Sequence, residues 1–194
     1  PVVRQDWLDG TKSGKALLEN PTPDNYKAFF KELKENNNLK AAFTMPGDIT
    51  ELDTIFNQAF GIDKTWLKEG DKYIYSKVSS AEKEKLAFYR ELYKEGLLDN
   101  EWLTKKWDTK ESAFYNGEVG VVSGTQGSVV NVYNNKMVSQ NGESAKLAVL
   151  PPAKGTAQGY APSDVSKESR GWAISKYSEH KDVAFAVLEY MAGT

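Results

Sequence analysis

Residues 109–135 read TKESAFYNGEVGVVSGTQGSVVNVYNN, and the order of elements in this stretch decides the fold class. The spacing predicts a helix over residues 109–116, stopped by Asn116-Gly117, residues suited to the turn after a helix. Val119, Gly120, Val121 and Val122 follow as a short apolar run, which reads as a buried strand. Gly124-Thr125-Gln126-Gly127 then leads into a second helix predicted over residues 128–135. Helix, buried strand, glycine-rich loop and helix in succession are the grammar of an α/β layer.

The same alternation continues outward. Upstream, Ser79-Ser80-Ala81-Glu82 opens a helix that turns Leu86, Phe88, Tyr89, Leu92 and Tyr93 inward, with Gly96 beyond its end. Residues 72–76 (KYIYS) suggest a short strand or ribbon. Residues 39–45 (LKAAFTM) read as a buried strand, after which Pro46-Gly47-Asp48 turns the chain into helical spacing over residues 49–60. Residues 23–35 form a helix with Tyr26, Phe29, Phe30 and Leu33 on one face, bounded by a breaker cluster at Asn20 to Asp24 and by Asn36-Asn37-Asn38. Residues 1–9 start extended and then turn. Downstream, residues 146–150 (KLAVL) and 171–175 (GWAIS) read as strands, separated by Pro151-Pro152 and a polar loop. Glu179-His180-Lys181-Asp182 caps a last helix running to Met191. The expectation is an α/β chain with a mixed sheet of about five strands flanked by helices.

Composition narrows the chemistry. Twenty-five Lys and Arg against 27 Asp and Glu give a net charge of −2 over 194 residues. Nothing in that balance predicts nucleic acid, which asks for a concentrated basic face. No apolar run approaches the roughly 20 residues that span a bilayer. There is no cysteine, which removes disulfides and thiolate chemistry, and the single histidine, His180, argues against a histidine-rich zinc site. His180 lies in a polar cluster and reads as solvated. No phosphate-binding glycine loop of the P-loop type occurs. Aromatic residues reach 12%; they build cores, and their faces also stack on sugar rings. Both ends read as cut: residue 1 is Pro, no signal peptide or lipid-attachment cysteine precedes it, and the chain stops after an amphipathic helix. An excised part of a longer protein is therefore expected.

Three segments, in order, resemble one family. Arg4-Gln5-Asp6-Trp7-Leu8, followed by Pro23-Asp24-Asn25-Tyr26-Lys27-Ala28-Phe29-Phe30, resembles the opening of the second lobe in bacterial extracellular solute-binding proteins. Tyr89-Arg90-Glu91-Leu92-Tyr93-Lys94-Glu95-Gly96-Leu97-Leu98, leading on to Phe114-Tyr115-Asn116-Gly117-Glu118-Val119-Gly120, is similar to that family's "LYKEGLID" and "F-x-x-G-K-x-G-M". Leu150-Pro151-Pro152, Gly171 to Ser175 and Ala184 to Met191 resemble the stretch near its interlobe hinge. The long lipoprotein receptors of firmicutes for oligosaccharides look like the nearest kin, and the maltose-binding proteins are more distant.

The resemblance implies a periplasmic-binding-protein-like fold of two α/β lobes with ligand in the cleft. Residues 1–175 would be the second lobe, and residues 176–194 a crossover helix returning toward a first lobe. The implied function is the substrate-binding component of an ABC importer. It would capture an extracellular oligosaccharide, or another small solute, and deliver it to the permease subunits. The implied place is the outer face of the cell membrane, through a lipid anchor absent from this sequence. No cofactor is implied. Many long members carry an acidic calcium loop after the first helix; Glu35-Asn36-Asn37-Asn38 stands there instead, a poor oxygen set for calcium, so no metal is expected. A glycoside-acting enzyme and a cell-surface carbohydrate-adhesion module remain as alternatives, because chance carboxylate pairs and abundant aromatics are compatible with either.

In open α/β sheets ligands gather at the carboxyl ends of strands, which selects candidate residues. Asp48 follows residues 39–45; it either accepts sugar hydroxyls or caps the next helix. Thr125 and Gln126 follow residues 119–122, between glycines that allow close backbone approach. Gln126 has donors and an acceptor suited to hydroxyls, and it stands where the maltose-binding relatives carry a stacking Trp. Arg170 and Trp172 stand before the hinge, Trp172 being either a sugar platform or a packed hinge residue. Tyr160 lies in the polar loop. Trp66, Trp102 and Trp107 read as core or surface covers.

Overall fold

The computed structural model describes residues 1–123, 128–159 and 172–192, excepting the side chains of residues 128, 129 and 192. The chain forms two units, residues 1–162 and residues 163–194.

In the first unit a four-stranded sheet is built from β1 (Val2–Arg4), β2 (Ala41–Phe43), β5 (Val119–Val122) and β6 (Leu147–Val149), in the order β2-β5-β1-β6. β2 and β5 are parallel, with Ala41 opposite Val119 and Phe43 opposite Val121. β1 runs antiparallel to both β5 and β6. The sheet is therefore mixed, with helices packed around it, and the α/β expectation is met. Leu98 adds a single parallel bridge to Phe43 beyond β2. Two further strands, β3 (Trp66–Glu69) and β4 (Lys72–Tyr75), make a separate hairpin.

The helices follow local chemistry. α1 (Gln5–Asp9) and α2 (Lys12–Glu19) occupy the region after β1. α3 (Pro23–Asn37) has Pro at its first position, where the missing amide costs nothing, and Thr22 Oγ1 accepts from Asn25 N at 3.2 Å. Its inward stripe, Tyr26, Phe29, Phe30 and Leu33, is fully buried. Asn38, in the left-handed region at φ 51°, closes it. α4 (Thr50–Phe56) and α5 (Ser80–Lys94) bring Phe56 against Tyr26 and Phe88, each at 5.1 Å between ring centroids. Burying each such ring contributes about 1.5–3 kcal/mol. Ser79 Oγ caps α5 by accepting from Glu82 N.

α6 (Trp107–Tyr115) and α7 (Ser128–Asn141) flank β5. In β5, Gly120 is required by packing: a Cβ there would stand 2.6 Å from Leu33 Cδ2 and 2.9 Å from Leu39 Cδ1. That glycine lets α3 lie directly on the strand.

The second unit contributes α8 (Lys181–Ala192). Val183, Phe185, Val187, Tyr190 and Met191 on it are exposed. The strand predicted over residues 171–175 is corrected: Trp172 to Ser175 adopt no regular structure. An apolar run becomes a strand only through a hydrogen-bonded neighbour, and among the described residues no strand pairs with residues 172–175.

Candidate functional site

Chain direction places several polar groups at one end of the sheet. The chain leaves β2 through Thr44 to Asp48 and enters α4, so the first turn of α4 lies at the carboxyl end of β2. α6 precedes β5 and runs back along it, so the start of α6 lies at the carboxyl end of β5. The segment between α5 and α6 runs alongside β2 toward the same end. It is tied there by Gly47 N donating to Trp102 O at 2.8 Å. Buried Thr44 donates to Asp99 Oδ2 at 2.7 Å, and Lys105 Nζ stands 2.8 Å from the same oxygen. Burial pushes the Asp99 carboxyl up, but Lys105, Thr44 and the Glu101 amide outweigh it and hold the group below its ordinary range.

Lys110, one turn into α6, is wholly buried. Its Nζ donates to Glu51 Oε1 at 2.5 Å and to Ser123 O at 2.8 Å, joining α4, α6 and the end of β5. Ser123 Oγ lies 3.1 Å from Thr54 Oγ1. Burial pushes the Glu51 carboxyl up, against the pull of Lys110, and pushes the Lys110 ammonium down, against the pull of Glu51. Desolvation thus works on both partners toward their neutral forms. Glu51 Oε2 is buried and, among the described residues, accepts no hydrogen bond.

The same ammonium lies 3.9 Å from the ring centroid of Trp107. Trp107 Nε1 donates to Glu111 Oε1 at 2.6 Å, and that oxygen also accepts from Tyr133 Oη at 2.6 Å. Burial and the Glu111 charge push the Tyr133 phenol up, keeping its proton available to donate. The first turn of α6 is fixed by Thr109, whose Oγ1 accepts from Lys106 N and donates to Lys106 O, each at 2.9 Å.

Of the residues selected from sequence, Asp48 is exposed at this end, and its Oδ1 accepts from Thr50 N at 2.8 Å. This bond spans the turn into α4, whose N-cap is Ile49 and carries no side-chain cap bond. Thr125, Gln126, Tyr160 and Arg170 lie outside the described residues. Trp172 is described; it is 80% exposed and belongs to the second unit. The strand ends also gather Glu51, Lys110 and Ser123, which sequence reading passed over, and Trp107, which it read as a core or surface cover. The one available signal was the i, i+3, i+4 spacing of Trp107, Lys110 and Glu111, which puts an indole beside a cation and an acceptor. Trp102 is half-buried against the core and Trp66 is exposed on the hairpin, as core and surface covers are. Among the described residues no group of three acidic or histidine side chains is placed to hold a metal ion. Asn37 and Asn38 serve the end of α3, the first through Nδ2 donating to Leu33 O at 3.0 Å.

The mixed α/β sheet with polar groups gathered at its strand ends agrees with a comparison of the whole sequence. The family model described as bacterial extracellular solute-binding protein matches residues 2–194, and the chain belongs to that family. Its members are extracellular or periplasmic proteins that bind a solute for transport. No curated protein matches the chain.

Proposed function

We propose that the protein is the substrate-binding component of an ABC importer, taking up a plant or algal oligosaccharide. The single observation that carries the carbohydrate reading is the pairing, at the strand ends, of a fixed and half-exposed indole with short polar side chains. Flat apolar faces beside hydroxyl-directed donors and acceptors suit sugars. On this reading residues 1–175 are one wall of the cleft. Asp48, Thr125, Gln126, Tyr160, Arg170 and Trp172 contribute to it. Residues 176–194 are the crossover helix, and the exposed apolar side chains of α8 supply a face for a second lobe. Capture proceeds by closure of two lobes around the solute, a hinge motion that removes it from water. The closed form is then offered to the permease, with the receptor held at the outer face of the membrane by a lipid anchor. No bond of the solute is broken.

Titration calorimetry on the full-length protein tests this reading. Neutral oligosaccharides should release heat, while di- to pentapeptides of matched size should not, and small-angle scattering should show contraction on binding. Tight peptide binding without sugar binding would overturn the carbohydrate assignment. Turnover of a glycoside would overturn the receptor assignment.

A further inference from the structure

We propose that the outer face of the Trp107 indole is a stacking platform for a pyranose ring, held in place by Lys110 and Glu111; this rests on the carbohydrate reading above. Trp107 opens α6 at the carboxyl end of β5, where the helix start, the first turn of α4 and Ser123 converge. An unconstrained surface tryptophan would pay rotamer entropy on every binding event. Trp107 is constrained on two sides. One ring face takes the Lys110 ammonium at 3.9 Å, and the ring edge is fixed by Nε1 donating to Glu111 Oε1 at 2.6 Å. Each anchor is itself anchored: Lys110 by Glu51 and Ser123, Glu111 by the buried Tyr133 hydroxyl.

The residue nonetheless remains 43% exposed. A tryptophan needed only for packing would turn its ring into the core, as its neighbour Trp102 partly does. Here the ring covers a buried ammonium with one face and presents the other. The axial C–H groups of a pyranose make a flat apolar patch that matches such a face, while its equatorial hydroxyls reach sideways. Lys110 and Glu111 touch no sugar in this arrangement; they are positioning residues. The platform selects for sugars with a continuous axial C–H face and gives little to peptides or inorganic anions.

The test uses the full-length protein and four probes: the α-1,4-glucose, β-1,4-glucose, β-1,4-xylose and β-1,4-mannose tetramers. Each is titrated calorimetrically into the unmodified protein and into W107A, W107F and E111Q. For the probe that binds best, W107A should lose affinity by about tenfold to a hundredfold, the loss of one aromatic face. W107F should recover most of it, and E111Q should lie between. On adding the probe, the indole N–H resonance that is absent from W107F should shift or broaden in the unmodified protein, which a purely structural tryptophan would not require. Equal binding by W107A and the unmodified protein overturns the platform alone. Unfolding of W107A leaves the decision to W107F and the indole resonance, where an unmoved resonance again overturns it. If none of the four tetramers binds the unmodified protein, the carbohydrate reading falls and the platform with it.

Discussion

Glu51 and Asp53 stand two residues apart on α4, a step of about 200° around a helix, and so face opposite sides. Both are buried and both meet a lysine that is itself wholly buried. Asp53 belongs to a closed network between α4 and α5. Lys85 Nζ lies 2.6 Å from Asp53 Oδ1, 3.0 Å from Glu82 Oε2 and 2.7 Å from Asn57 Oδ1. Lys77 Nζ meets the other oxygens of both carboxylates at 3.0 and 3.2 Å, and the Tyr89 hydroxyl donates to Asp53 Oδ1. Two positive and two negative charges close the account. The Lys85 contact to Glu82 Oε2 is short enough for an ion pair, though its angles do not make it a hydrogen bond. Glu51, at the strand ends, meets one buried lysine, and among the described residues its Oε2, like Glu82 Oε2 on the other side, accepts no hydrogen bond. The network on the α5 side staples two helices. The pair on the strand-end side shares its lysine with the ring of Trp107, which is half-exposed.

That difference is open to measurement. The largest effect should come from Lys85→Met. It leaves Asp53 and Glu82 buried with only the half-exposed Lys77, and should cost about 3–5 kcal/mol in urea unfolding. Lys110→Met should cost less, about 1–3 kcal/mol, because burial already raises the Glu51 pKa and a proton can replace the lost cation. Equal costs for the two lysines would erase the distinction between staple and support.

A pH series sharpens the same point. The folded-state pKa of Glu51 lies above its unfolded value. Its contribution to stability is therefore fully present below the unfolded pKa and is lost as pH rises through the folded one. Relative to the unmodified protein, E51Q should gain in melting temperature as pH rises above the ordinary carboxylate range of about 4. A difference that stays flat over that rise would mean the Glu51 carboxyl is not raised. The smallest effect is expected for Lys77→Ala. Its side chain is 43% exposed, so solvent screens its two ion pairs and the cost should stay below about 1 kcal/mol in the same unfolding assay. A larger cost would show that the α4–α5 network depends on its outer cation as much as on its inner one.

Much of the fold was legible in the linear sequence. The four apolar residues 119–122 coincide with β5, and the aromatic spacing after Pro23 coincides with the buried face of α3. Ser79 caps α5 as its position before Glu82 suggested. These readings succeeded because the determining interactions are local: side-chain period, cap and stop lie within a few residues of each other. β1 is only VVR, too short to carry a pattern, yet it lies between β5 and β6 in the sheet. α2 holds a single buried apolar residue, Leu17, and Gly14 weakens its helical signal. β3, with the polar sequence WLKE, is a strand because β4 pairs with it. Residues 172–175 looked more strand-like than either and form none.

The site divides in the same way. Asp48 could be found from sequence because a turn after a predicted strand marks a strand end. Lys85 and Lys110 could not, since lysine is the residue expected in solvent. Thus the sequence by itself determined the α/β class, most helices, the buried strand at 119–122 and the family. The tertiary structure alone decided the strand order, the reversal of β1 within the sheet, and which lysines are taken out of water. The physical reason is range. Periodicity and capping act over one or two turns of chain, whereas strand pairing and charge burial join groups tens of residues apart: Lys110 and Glu51 are separated by 59 positions, and only folding puts one ammonium between that carboxylate and the indole of Trp107.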